Sequence, residues 1–277
     1  MLEALAAVTK ALLYAGVLSC AGVVFAQATL RTSADLSHVS RQVMQRGAAL
    51  TLVASMSSAL ILVFRLGGQF DEVTLSAVFI SSSGAGICLQ LAGAGLLLAS
   101  LDDPSAHGSR LINAVIATLS FAFSGHAGAL DLTAGLVAFA HASAAAWWIG
   151  SLWLLRYACA QSQLPEIIEV VTRFSAIATR LVGALVIAGL LLILILVGFV
   201  ELPQLTPYEQ ILVVKLGMAA VVLAVASYNR FRLTPRLAIG DSTALASLRR
   251  TILAEFIVIG GIVMTTAILT TYTAPHQ

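Results

Sequence analysis

Apolar runs of about 20 residues recur along the whole chain, separated by short polar segments. A run of that length, wound as a helix, crosses the hydrocarbon core of a bilayer. Eight spans are expected: Leu2–Leu30, Gly47–Leu66, Val73–Leu101, Leu111–Ala127, Asp131–Tyr157, Phe174–Val200, Tyr208–Tyr228 and Thr251–Tyr272. No alternating pattern of the kind a membrane β-barrel needs is present. The expected fold class is therefore all-α: a polytopic membrane bundle of eight transmembrane helices, forming one domain over residues 1–277. The fourth and fifth spans are joined by only Gly128-Ala129-Leu130, which makes them antiparallel neighbours. The third carries Ser81-Ser82-Ser83-Gly84-Ala85-Gly86, Gly93 and Gly95, small residues that let helix backbones approach closely in lipid. The sixth is nearly all Leu, Ile and Val and is expected to face lipid over much of its surface.

Charge then sets the orientation. The segments after the first, third, fifth and seventh spans hold Arg31, Arg41, Arg46, Arg110, Arg156, Arg173, Arg230, Arg232, Arg236, Arg249 and Arg250, whereas the opposite loops hold only Arg65. Basic loops stay in the cytoplasm, so both termini are expected on the periplasmic side. A cleaved signal peptide ending near Val24-Phe25-Ala26 is not expected, because the leading segment carries Glu3 and no basic residue before Lys10. Composition agrees with the membrane reading: 59% of residues are hydrophobic and 10% charged, against about half and a quarter in soluble domains. A net charge of only +2 gives no reason to expect nucleic-acid binding. The cysteines Cys20, Cys88 and Cys159 are isolated from one another, so neither a zinc site nor a disulfide frame is suggested, and buried thiols are expected.

The residues that could carry chemistry are concentrated in Gly125–Leu155, which holds His126, His141 and all three tryptophans, Trp147, Trp148 and Trp153. His141, Ala145, Trp148 and Leu152 share one helix face, surrounded by a thin alanine-rich surface. An imidazole there needs a partner, because an unsatisfied polar group in hydrocarbon is expensive. The partner can be a backbone carbonyl or serine that ties two helices together, or a metal ion. If both helices run straight to their turn, His126 and His141 differ in depth by roughly 9 Å at 1.5 Å per residue. They then act as successive stations; alternatively, Gly125 and Gly128 break the helix and let His126 fold inward. Lys10, Lys215 and Glu255 are further intramembrane charges, each either paired or part of a transport path. Tyr228-Asn229 reads as a helix end presenting polar groups to the interface, and His38 as a solvated loop residue.

These features resemble the copper resistance protein D (CopD) family of bacterial inner-membrane proteins. The resemblance rests on Gly125-His126-Ala127, on His141 seven positions before Trp148, and on Trp148-x-Gly150-x-Leu152. It continues in Lys215-Leu216 through Tyr228-Asn229-Arg230-Phe231 to Pro235-Arg236-Leu237, then in Leu248-Arg249-Arg250, Glu255 and Leu269-Thr270. It is best from about Leu111 onward; the first hundred residues fit in span count and in the position of Lys10. The resemblance implies copper uptake or transfer from the periplasmic side, in copper homeostasis or resistance, with a periplasmic CopC-type carrier as a partner. It implies His126 and His141 as the copper-interacting residues, a copper ion as the bound metal, and no enzymatic activity. Members often carry a histidine in the first span where this chain has Tyr14, so a third imidazole is missing here. Two other readings stay open: a cytochrome b-like protein binding haem through two histidines at one depth, and a structural or assembly subunit with no ligand.

Overall fold

The computed structural model describes residues 1–30, 34–103, 105–161, 163–197 and 206–272; the side chains of residues 34, 35, 126, 127, 129 and 242 lie outside that description. Expectations that fall on Arg31, Asp35, Pro104, Glu201, Pro203 and the tail from Thr273 therefore lie outside the described residues. The described elements are all helical. They are α1 (Leu2–Leu30), α2 (Ala34–Arg65), α3 (Glu72–Ile80), α4 (Ser82–Ala99), α5 (His107–Leu119), a 3₁₀ turn (Ser120–Phe123), α6 (Gly125–Leu130), α7 (Leu132–Gln161) and α8 (Leu164–Leu196). After these come α9 (Pro207–Tyr228), a π-helical turn (Asn229–Leu233), α10 (Thr234–Ala238) and α11 (Ser242–Tyr272).

Seven helices among the described residues are long and apolar enough to cross a membrane: α1, α2, α4, α7, α8, the α9–α10 run and α11. The fourth expected span is met by α5 and the 3₁₀ turn, of 13 and 4 residues, and does not form one long helix. The third expected span is also divided. Ser81 adopts an extended backbone, accepts the Gly84 amide on its hydroxyl at 3.0 Å and so starts a new helix. Gly84 then sits directly against the Val78 carbonyl, where a Cβ would come within 1.9 Å.

Several arginines expected in loops are helical instead. The second span begins at Ala34, thirteen residues before the expected Gly47, so Arg41, Arg46 and the exposed His38 ride on α2. Likewise α8 takes in Arg173, the α9–α10 run takes in Arg230, Arg232 and Arg236, and α11 takes in Arg249 and Arg250. Long polar helix ends projecting past the apolar core satisfy their own backbone hydrogen bonds, which a loop does not. These ends gather on one side of the bundle. Arg41 pairs with Asp102, Arg173 donates to the Leu30 carbonyl, and Arg249 Nε donates to the Cys159 carbonyl at 2.7 Å. The short turn there is held by Asp241, whose carboxylate accepts from Thr243 and then from Arg236; those bonds hold its pKa down at about 2.

The centre of the bundle is α1, with 67% of its apolar window buried against 6% for α8. The sixth span is thus largely exposed on the isolated chain, as the expectation of a lipid-facing helix requires. Glycine permits the closest approach. A Cβ on Gly22 of α1 would lie 1.9 Å from the Ala146 carbonyl oxygen, and one on Gly150 of α7 would lie 2.0 Å from the Gly22 carbonyl carbon. Around this crossing Val23, Val24, Trp147, Trp148, Leu152 and Ile252 form one continuous core. Cys20 and Cys159 are buried as expected; Cys88 is exposed on the isolated chain.

Candidate functional site

The expected hairpin between the fourth and fifth spans is a distinct element. Ser124 is extended (φ −104°, ψ 142°), and Gly125 has φ +69°, a left-handed conformation that glycine adopts without penalty. The helix therefore breaks at Gly125, and residues 125–130 form α6. Asp131 then accepts the Ala134 amide at 2.7 Å and starts α7. Gly125 abuts Thr270 near the end of α11, with a Cβ only 3.2 Å from Thr270 Cγ2. His126 follows it on α6, and its side chain lies outside the described residues.

Thr270 ties this end of the bundle together. Its carbonyl accepts from Lys10 Nζ at 2.8 Å, and its hydroxyl is 3.3 Å from the Tyr14 hydroxyl. A cation at the carbonyl end of a helix is well placed, which satisfies the expected need of Lys10 for a partner. Tyr14, at the position where the resemblance places a histidine, is buried and its ring lies 5.3 Å from that of Phe121. A tyrosine there fills a packed polar position and supplies no imidazole.

His141 sits deeper on α7. Its Nδ1 is 3.1 Å from the Leu185 carbonyl oxygen of α8. A carbonyl only accepts, so Nδ1 carries the hydrogen and the neutral ring keeps its lone pair on Nε2. Gly189, one turn further along α8, makes room for the ring, 3.2 Å from where a Cβ would stand. Nε2 makes no hydrogen bond among the described residues. Lys215 of α9 lies within electrostatic range of the ring. No group of three or more His, Cys, Asp or Glu side chains that could hold a metal ion occurs among the described residues. The arrangement can therefore offer one imidazole nitrogen at His141, with other ligands still to be supplied.

A second polar constellation lies lower on the same face of α7, and the sequence pattern gave it only in pieces. Glu255 of α11 is 2% exposed. Its Oε2 accepts from Trp148 Nε1 at 3.2 Å and its Oε1 from Asn229 Nδ2 at 2.7 Å. Asn229 thus turns inward rather than to the interface, because the π turn that begins with it continues α9 without ending the helix. Lys215 and Glu255, intramembrane charges that could have paired, make no ion pair among the described residues. Trp148 is a hydrogen-bond donor as well as a packing residue. Trp147 donates to Thr29 at 2.8 Å and stacks on Phe174, while Trp153 packs against Phe256. These partners are up to 118 residues apart in sequence, beyond the reach of any local motif.

The helices define a multi-pass membrane protein. The sequence model of the family described as copper resistance protein D matches residues 168–269, so this part of the chain is similar to that family. The matched segment runs from α8 to near the end of α11, so it contains Lys215, Asn229, Arg230 and Glu255 and begins after both His126 and His141. No curated protein and no solved structure matches the chain.

Proposed function

We propose that this protein takes copper from the periplasmic side of the bacterial inner membrane and passes it toward or through the bilayer. His126 receives the ion near the surface and the Nε2 of His141 receives it deeper, with a periplasmic CopC-type carrier as the donor. The role is binding and transfer, not catalysis. The observation that carries this reading is the ring of His141, fixed through Nδ1 to the Leu185 carbonyl with its other nitrogen left as a lone-pair donor. Metal-ligating histidines characteristically use their second nitrogen this way, which sets the tautomer and orients the ring. The family match to copper resistance supports the choice of metal. Equal copper content in purified parent, His126→Ala and His141→Ala would end the assignment; the expected result is a marked loss in both variants.

Lys215 sharpens the reading. A positive charge near His141 opposes a resident cation, so the site holds an ion in transit and does not store it. Lys215→Met is expected to raise copper retention about tenfold, a change of ~1.4 kcal/mol. Equilibrium dialysis against parent protein checks this, and unchanged or weaker retention contradicts it.

The Leu185 hydrogen bond also favours a second reading, in which His141 only fastens α7 to α8. That reading predicts a His141→Ala protein with lowered stability and the copper content of the parent.

A further inference from the structure

Glu255 is a carboxylate in a membrane-spanning helix, 2% exposed, with no cationic side chain in ion-pairing distance among the described residues. Such a charge is costly in a low-dielectric interior unless something positive neutralises it. It forms part of the wall of a cavity of about 200 Å³ at the arginine-rich end of the bundle, beneath Trp148 and beside Phe174. Arg230 is the only other charged residue in that wall among the described residues, and its guanidinium is engaged elsewhere, donating to the Ser175 carbonyl and to Ser175 Oγ. Among the described residues, the faces of α7 and α8 that line the cavity carry no ionisable side chain, and the one ionisable side chain from α11 is Glu255.

A metal ion is a poor candidate for the missing charge. Glu255 stands alone as a ligand, with no cluster of three metal-binding side chains among the described residues. A proton fits the surroundings. The Trp148 N–H meets Oε2, which accepts a hydrogen bond whether the acid is ionised or protonated. Asn229 meets Oε1 with an amide that can donate through Nδ2 or, turned over, accept through Oδ1. In the observed arrangement Nδ2 donates and the buried Oδ1 has no hydrogen-bond partner. Asn229 also opens the π turn, an irregularity frequent at functional sites.

We propose that Glu255 is a proton-binding site, loaded and unloaded through this cavity. Hydronium entering the cavity gives its proton to Oε1, leaving a neutral carboxylic acid and a water molecule; the reverse step restores the carboxylate. Asn229 turns its amide with each change and Trp148 holds the other oxygen throughout, so both are positioning residues. The site stands independently of copper, and its probe is the proton alone.

Infrared difference spectra of the full chain in nanodiscs, recorded between about pH 5 and pH 9, test this. The parent is expected to gain a buried-carboxyl C=O band as pH falls. Glu255→Gln is expected to lose that band, and Glu209→Gln to keep it. Asn229→Leu is expected to shift the band, because the bond to the carboxyl is removed, which a purely structural role for Asn229 does not predict. An identical difference spectrum in parent and Glu255→Gln overturns the proposal. Should Glu255→Gln fail to fold, Trp148→Phe and Asn229→Leu decide: each is expected to move the band, and a band unmoved in both overturns it.

Discussion

Gly150→Leu is expected to prevent the chain from accumulating as a folded protein. At this crossing α1 and α7 touch backbone to backbone: a Cβ on Gly150 would lie 2.0 Å from the carbonyl carbon and 2.1 Å from the carbonyl oxygen of Gly22. Those atoms cannot yield as a flexible side chain would. The helices must separate, and α1 is the most buried span of the bundle, so the core residues packed around it lose contact together. Overpacking alone costs about 1–3 kcal/mol, and backbone displacement here exceeds that range. Gly183→Leu is the control, because a Cβ at Gly183 has nothing within 4 Å. Expression level and size-exclusion profile in detergent are the measurements. A monodisperse Gly150→Leu protein at parental yield would show that the crossing is not needed.

Glu255→Leu is expected to destabilise the bundle by about 3 kcal/mol. The substitution keeps much of the side-chain volume but removes both acceptor oxygens, so Trp148 Nε1 and Asn229 Nδ2 are left buried without partners. Each orphaned donor costs about 1–3 kcal/mol. Glu255→Gln keeps an acceptor oxygen for one of them and is expected to cost about half as much. Chemical unfolding followed by circular dichroism ranks the three proteins. A Glu255→Leu variant as stable as the parent would mean that the carboxylate contributes nothing to holding α7, α9 and α11 together.

The helical character of the chain was plain from its apolar runs, and α1 was placed to the residue. Their facing was not. A helix that is apolar all round carries no stripe to say which side is inward, and α1 is of that kind. The divided third and fourth spans were hidden for a related reason: a single serine hydroxyl capping α4 changes the backbone path without altering hydropathy. Arginines mark helix ends in the protein, whereas charge pattern alone suggests loops.

The candidate site was legible to the same degree. That His141 needs a partner followed from its surroundings, but the partner is a main-chain oxygen on another helix, to which side-chain identity gives no clue. The break at Gly125 was within what the glycines allowed and is observed in the backbone, whereas the direction of the His126 side chain lies outside the described residues. Glu255 stood out as an intramembrane charge. Its connection to Trp148 and Asn229 did not, because it depends on how α7, α9 and α11 come together.

Copper K-edge X-ray absorption on copper-loaded protein, parent beside His141→Ala, addresses the ligand role of His141 directly. The parent is expected to show the multiple-scattering pattern of imidazole nitrogen in the first coordination shell, and His141→Ala to show that contribution reduced. The same nitrogen scattering at the same amplitude in both proteins would contradict it.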